Sequence, residues 1–184
     1  LVIVSTKFNI LSTISVNNIT QDFMNSKVSA SFTNTDGNIL INKKVSFSVG
    51  LYGVKSVPIQ FNATTDKVGS ATANVNLYTG KYLVTVVNPV NNEKKEFTLD
   101  ISKIDSECSL SVYQVGSTVI INATVGPSLP SGYVDFLVSG KVYKVKVSPA
   151  YIDNNRVSVA SLKLQNLAVG KYEVSAVFSG DDNL

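Results

Sequence analysis

Thirteen carboxylates, eight tyrosines, one cysteine and no histidine define the chemistry open to this 184-residue chain. Without His there is no usual general base, no common nitrogen ligand for a metal, and no Ser-His-Asp or Cys-His nucleophilic arrangement. Asp22, Asp36, Asp66, Glu93, Glu96, Asp135, Asp153 and Glu173 lie singly along the sequence. A carboxylate pair for glycoside hydrolysis would have to be assembled from distant positions. No GxGxxG, GxxxxGKS or HExxH pattern occurs, and the reading is a protein that is not an enzyme and needs no cofactor.

The metal to weigh is calcium, which takes oxygen ligands. Candidate ligands are Asp100, Asp105 and Glu107 near the middle of the chain, and Asp181 and Asp182 beside Asn183 near its end. Neither group has the spacing of a ligand loop, and a solvated acidic turn is the competing account. Tyr52, Tyr78 and Tyr151 fall in expected loops, where exposed rings could stack on sugars. Asn18, Asn62 and Asn122 each begin an N-x-T triplet without Pro, the acceptor pattern for glycosylation. Lys, Asn and Asp abound, so an isopeptide crosslink is open, but no one triad stands out. Cys108 has no partner for an intrachain disulfide. A net charge of +3 with one Arg and no basic cluster leaves no footprint for nucleic acid. No window approaches the roughly eighteen apolar residues of a membrane span, and LVIV at residues 1–4 is too short for the core of a signal peptide.

The elements that must position these residues are strands. Apolar residues make up 44% of the chain and charged residues 16%, a composition for folded structure. No stretch of ten residues keeps an i, i+3, i+4 apolar pattern, while period-two alternation runs throughout. Val28, Ala30 and Phe32 fall on one face, as do Val45, Phe47 and Val49; these are expected to be two strands of one half-buried sheet, separated by the Asp36-Gly37 turn. Further strands are expected at 56–64, 70–77, 81–87 and 96–101. The second half repeats the order at 109–112, 118–125, 133–138, 142–147, 157–164 and 172–178.

The triplet GKY begins at Gly80 and at Gly170, an offset of 170 − 80 = 90 residues, and Phe47 pairs with Phe136 at 136 − 47 = 89. A structural repeat of about 90 residues follows. Many short strands without helices point to two packed antiparallel sheets in each repeat, with a closed barrel as the competing topology. The expected division is a leading strand at 1–10 that is the last strand of a preceding repeat, a domain at 11–101, a linker at 102–107 giving a semi-rigid rod, and a domain at 108–184 lacking its last strand. Tyr82 and Tyr172 recur at one repeat position, as a core or corner Tyr does. An open edge near 172–178 is expected to be filled, for example by residues 1–4 of a neighbouring molecule.

Gly170, Tyr172, Phe178, Ser179, Gly180, Asp181 and Asn183 match the Y-SGD-x-N-Y turn of bacterial Ig-like repeats, with Leu184 where that family usually has Tyr. VGSTVIINATV at 115–125 and SGYVDFLVSG at 131–140 look like the same family's second and third strands. Residues 26–50 look like the Ig-like repeats of adhesin-like surface proteins from methanogenic archaea. Residues 87–92 depart from the pattern, with NPVNN in place of the SGD turn. The resemblance implies two tandem immunoglobulin-like β-sandwich domains in a secreted or wall-anchored, multi-domain cell-surface protein. These would serve as a stalk, spacer or attachment module outside the cell. The expected partners are other repeats of the same polypeptide, a host or cell-wall glycan, a surface protein, or copies exchanging strands. The alternatives are a carbohydrate-binding module using the loop aromatics and an accessory domain of a wall-acting enzyme.

Overall fold

The computed structural model describes residues 3–184. The chain divides into two compact units, the first ending at Ser102 and the second running from Lys103 to Leu184. Every regular element among the described residues is a strand, and each unit is built from two sheets.

Unit 1 contains β1 (Ile14–Ser15), β2 (Ile19–Asp22), β3 (Lys27–Phe32), β4 (Lys44–Leu51), β5 (Ile59–Thr64), β6 (Ser70–Asn74), β7 (Gly80–Val87) and β8 (Lys94–Ser102). One sheet has the order β1-β3-β6 and the other β2-β8-β7-β4-β5. Alternation decides the inward face: Val28, Ala30 and Phe32 from the first sheet meet Val45, Phe47, Val49, Val84 and Val86 from the second. β8 contributes Phe97, Leu99 and Ile101 to the same core. It pairs antiparallel with β7 from Gly80↔Ile101 to Val87↔Lys94, and β2 adds in parallel from Ile19↔Leu99 to Asp22↔Ser102.

Unit 2 contains β9 (Glu107–Val115), β10 (Thr118–Gly126), β11 (Tyr133–Val138), β12 (Lys141–Lys146), β13 (Ser148–Ile152), β14 (Asn155–Gln165) and β15 (Val174–Phe178). Its sheets run β13-β14-β10-β9 and β12-β11-β15. Ile121, Ala123 and Val125 of β10 pack against Val134, Phe136 and Val138 of β11. Nine buried hydrophobic residues form this core, against eighteen in unit 1, so unit 2 rests on far less apolar burial.

Several expectations are corrected. VSASF and VSFSV do not share a sheet: β3 and β4 belong to opposite layers. The Asp36-Gly37 turn is formed, with Gly37 at φ 82° and Gly37 N–H donating to Asn34 O at 3.1 Å. It closes only the local Thr33↔Ile39 bridge, after which the chain crosses to the other layer. β5 starts at Ile59 because Pro58 has no N–H for the ladder. β6 stops at Asn74, although the apolar alternation continues through buried Val75 and Leu77. β15 starts at Val174 rather than Tyr172: in unit 1 the equivalent residues Gly80 to Leu83 pair with β8, and no described strand holds that position in unit 2. Of residues 1–4, Leu1 and Val2 lie outside the described residues, while Ile3 and Val4 are exposed and in no strand.

Candidate functional site

The two repeat tyrosines make the same hydrogen bond. Tyr82 Oη donates to Tyr78 O at 3.0 Å and Tyr172 Oη donates to Ala168 O at 3.0 Å, each four residues upstream. This is the corner by which a ring packs beneath a strand while its hydroxyl ties down the approach loop. Burial pushes the Tyr82 phenol up, so it stays a protonated donor.

The turns at the far ends of these strands use different residues for one job. In unit 2, Asp181 Oδ1 accepts from the N–H groups of Asn183 at 2.8 Å and Leu184 at 2.9 Å, and Oδ2 accepts from Ser131 N–H at 2.9 Å. Partial burial alone would raise its pKa, but the N–H groups of Ser131, Asn183 and Leu184 and the Ser131 hydroxyl outweigh that and hold it below the ordinary value. Lys103 Nζ donates to Asp181 O at 2.6 Å and Ile104 N–H to Asn183 O at 3.1 Å, so the start of the expected linker docks on this turn.

In unit 1 the NPVNN departure places Asn88 fully inside. Its Nδ2 donates to Thr13 Oγ1 at 2.8 Å and Thr33 O at 2.9 Å, and its Oδ1 accepts from Val90 N–H at 3.0 Å. Glu93 closes the same end: it accepts from the Ser12 hydroxyl, from Thr13 Oγ1 at 2.6 Å and from Thr13 N–H at 2.7 Å. Those bonds, Ser12's first, hold the Glu93 carboxyl below its ordinary range. Sequence reasoning missed this clasp because its members lie 55 to 81 residues apart. The polar, Gly-free NPVNN stretch was the available signal.

The expected site residues are dispersed. Asp100 sits on β8 with Lys81 Nζ at 4.0 Å, both side chains well exposed. Asp105, Glu107 and Asp182 are exposed. Among the described residues no three His, Cys, Asp or Glu side chains are grouped to hold a metal. Tyr52 has Lys81 Nζ 5.2 Å from its ring centroid, Tyr78 stacks on Phe23 at 6.1 Å, and Tyr151 is exposed on the edge strand β13 of the other unit. Asn62 faces out from β5, Asn122 is half-buried on central β10, and Asn18 Oδ1 accepts from Thr98 N–H at 2.9 Å. Cys108 is exposed on β9, and partial burial pushes its thiol up, away from reactive thiolate. The arrangement offers turn clasps and strand edges, with no convergent reactive groups among these residues.

Residues 108–184 match the family model of the bacterial Ig-like domain (group 3). No curated protein matches the chain. Among solved structures, it is similar to bovine butyrophilin at 12% identity and a TM-score of 0.32, over 89% of this chain and 96% of that one. It is also similar to a marsupial T cell receptor at 10% identity and a TM-score of 0.32, over 91% of this chain and 61% of that one.

Proposed function

We propose that this chain is a non-catalytic segment of a cell-surface adhesin or stalk protein, in which tandem Ig-like modules act as spacers or attachment units outside the cell. The observation that carries the reading is the doubled scaffold. Both units are two-layer sandwiches with the same tyrosine corner, and Asn88, Glu93 and Asp181 are engaged in closing turns. The Ig-like match over residues 108–184 supports the module class; a fold alone assigns no ligand. An accessible, mostly uncharged surface suits a segment repeated along a longer polypeptide, whose other repeats are its nearest partners.

A glycan-binding role is less well supported, since one ring face of Tyr52 is covered by Lys81 and Tyr78 stacks on Phe23. The Asp181 carboxylate accepts three backbone N–H groups, which gives it a structural part in its own turn. The test is antibody labelling of the source cells before and after permeabilisation. Labelling of intact cells, lost after brief external protease, is the expected result. Signal that appears only after permeabilisation overturns the proposal.

A further inference from the structure

We propose that Asn62 is the acceptor of an N-linked glycan, and that this glycan shields the open edge of β5 from strand pairing. The proposal rests on the surface location proposed above, since glycan transfer of this kind accompanies export from the cell. The fold separates the three N-x-T triplets. Asn18 Oδ1 accepts from Thr98 N–H at 2.9 Å, which holds that side chain against β8. Asn122 is half-buried on β10, whose backbone is paired on both sides, by β9 and β14. Asn62 and Thr64 are both exposed, two residues apart on the outward face of β5. Among the described residues β5 is paired on one side only, with β4, and the Lys44↔Thr64 pair is the last of that ladder. Peeling residues 62–64 away from β4 therefore opens the end of one ladder and leaves the rest of the sheet in place. A transferase can thus reach this triplet even in the folded chain.

A shallow depression of about 480 Å³ lies beside the triplet, lined by Lys44, Val45, Ser46, Asn62, Ala63 and Thr64. It gives the first sugar a seat. Lys44 is exposed there, and the Ser46 hydroxyl, which donates to Gln60 Oε1 at 2.9 Å, keeps lone pairs for a sugar hydroxyl. In the transfer step Asn62 Nδ2 forms a bond to the anomeric carbon of a lipid-phosphate-linked glycan. The bond from that carbon to the phosphate oxygen breaks, the lipid phosphate leaves with the electron pair, and Nδ2 gives up one proton to a base of the transferase.

The position explains what the glycan does. Edge strands are guarded by charge, by Pro or by shortness. β12 carries Lys141, Lys144 and Lys146, β13 carries Pro149, and β1 is two residues long. β5 runs for six residues, IQFNAT, with neither charge nor Pro. A glycan on Asn62 covers the stretch that would otherwise template a second strand.

The experiment is mass spectrometry of peptides from the chain isolated from its source cells, with Asn62→Gln, Asn62→Asp, Thr64→Ala and Thr64→Ser expressed in the same cells. The Asn62 peptide is expected to carry a glycan that is lost in Asn62→Gln and Thr64→Ala and retained in Thr64→Ser. By sedimentation velocity the glycosylated chain stays monomeric across concentrations at which Asn62→Gln associates. Asn62→Asp, which puts a charge on the edge without a glycan, stays monomeric as well. An unmodified Asn62 on a chain that is labelled at the surface of intact cells overturns the inference and leaves the proposed function standing. An unmodified chain labelled only after permeabilisation overturns both. A glycan on Asn18 or Asn122 in place of Asn62 overturns the assignment of the site, and equal association of the glycosylated chain and Asn62→Gln overturns the shielding role.

Discussion

Replacing Tyr82 and Tyr172 separately by Phe compares one hydrogen bond in two settings. Both hydroxyls lie 3.0 Å from their carbonyls, but Tyr82 is 8% exposed and Tyr172 is 38% exposed. A hydrogen bond contributes about 0.5–1.5 kcal/mol net, with the larger cost where a buried partner is stranded. Tyr82→Phe leaves the Tyr78 carbonyl without its donor beside a buried ring and is expected to cost about 1–1.5 kcal/mol. At Tyr172→Phe water replaces the lost donor, and the cost is about 0.5 kcal/mol or less. With a urea slope of about 1.5 kcal/mol per molar, the midpoints fall by roughly 0.7–1 M in unit 1 and roughly 0.3 M in unit 2. Hydrogen exchange read by mass spectrometry across a urea series reports β7 and β15 on separate peptides, so each unit is followed by itself. Equal losses, or a larger loss at Tyr172, would refute the claim that burial sets the value of the corner bond.

Phe47 and Phe136 are both fully buried at one repeat position, and truncating either to Ala costs about 3–5 kcal/mol. Unit 2, with half the buried apolar residues, is expected to unfold at 25 °C by near-UV circular dichroism and exchange, while unit 1 stays folded with a lowered midpoint. Asn88→Ala removes two donated bonds and one accepted bond, and is expected to cost about 2–4 kcal/mol in unit 1 by urea titration; a loss below 0.5 kcal/mol would deny the clasp its role. Glu93 and Asp181 have folded-state pKa values below their ordinary 4.5 and 3.8. Their contribution is therefore full above those values and is lost as pH falls through the folded ones. Midpoints should be flat from neutral pH to about pH 5 and decline below it, and Glu93→Gln should flatten the acid limb of unit 1 while Asp181→Asn flattens that of unit 2; unchanged acid limbs would contradict the sign.

Alternation in the sequence reports which side chains point inward, and Val28, Phe32, Phe47 and Phe136 are all buried where it places them. It carries no information on which sheet a strand joins, so β3 and β4 are wrongly grouped. β2 is invisible because ITQD has no alternating apolar face and pairs in parallel with residues about 80 positions away. β13 is hidden by Pro149, tolerated there because β13 is an edge strand. The repeated Tyr82 and Tyr172 are legible as corner residues because repetition at a fixed offset implies a shared structural role. The Thr13, Asn88 and Glu93 clasp is not, since a single sequence gives no sign that two chain-distant turns meet.

The contrast between the two units traces to one ladder. β8 brings three buried residues and gives β2 a partner, so the N-terminal strands of unit 1 divide between both sheets. Where unit 2 has no described strand in that place, β9 stays with β10 along its whole length and buries none of its residues, and Lys171 to Glu173 stay outside any strand. A generally loose fold would predict weak packing everywhere. Instead the β10–β14 ladder holds eight consecutive pairs, and Ala123, Val134, Phe136 and Ala160 are fully buried. The deficit is confined to the side facing the open edge, where Leu110, Val112, Val174 and Phe178 keep apolar surface in water. Exposure of inward-turned residues is thus local to one edge of unit 2 and is not a property of its whole core.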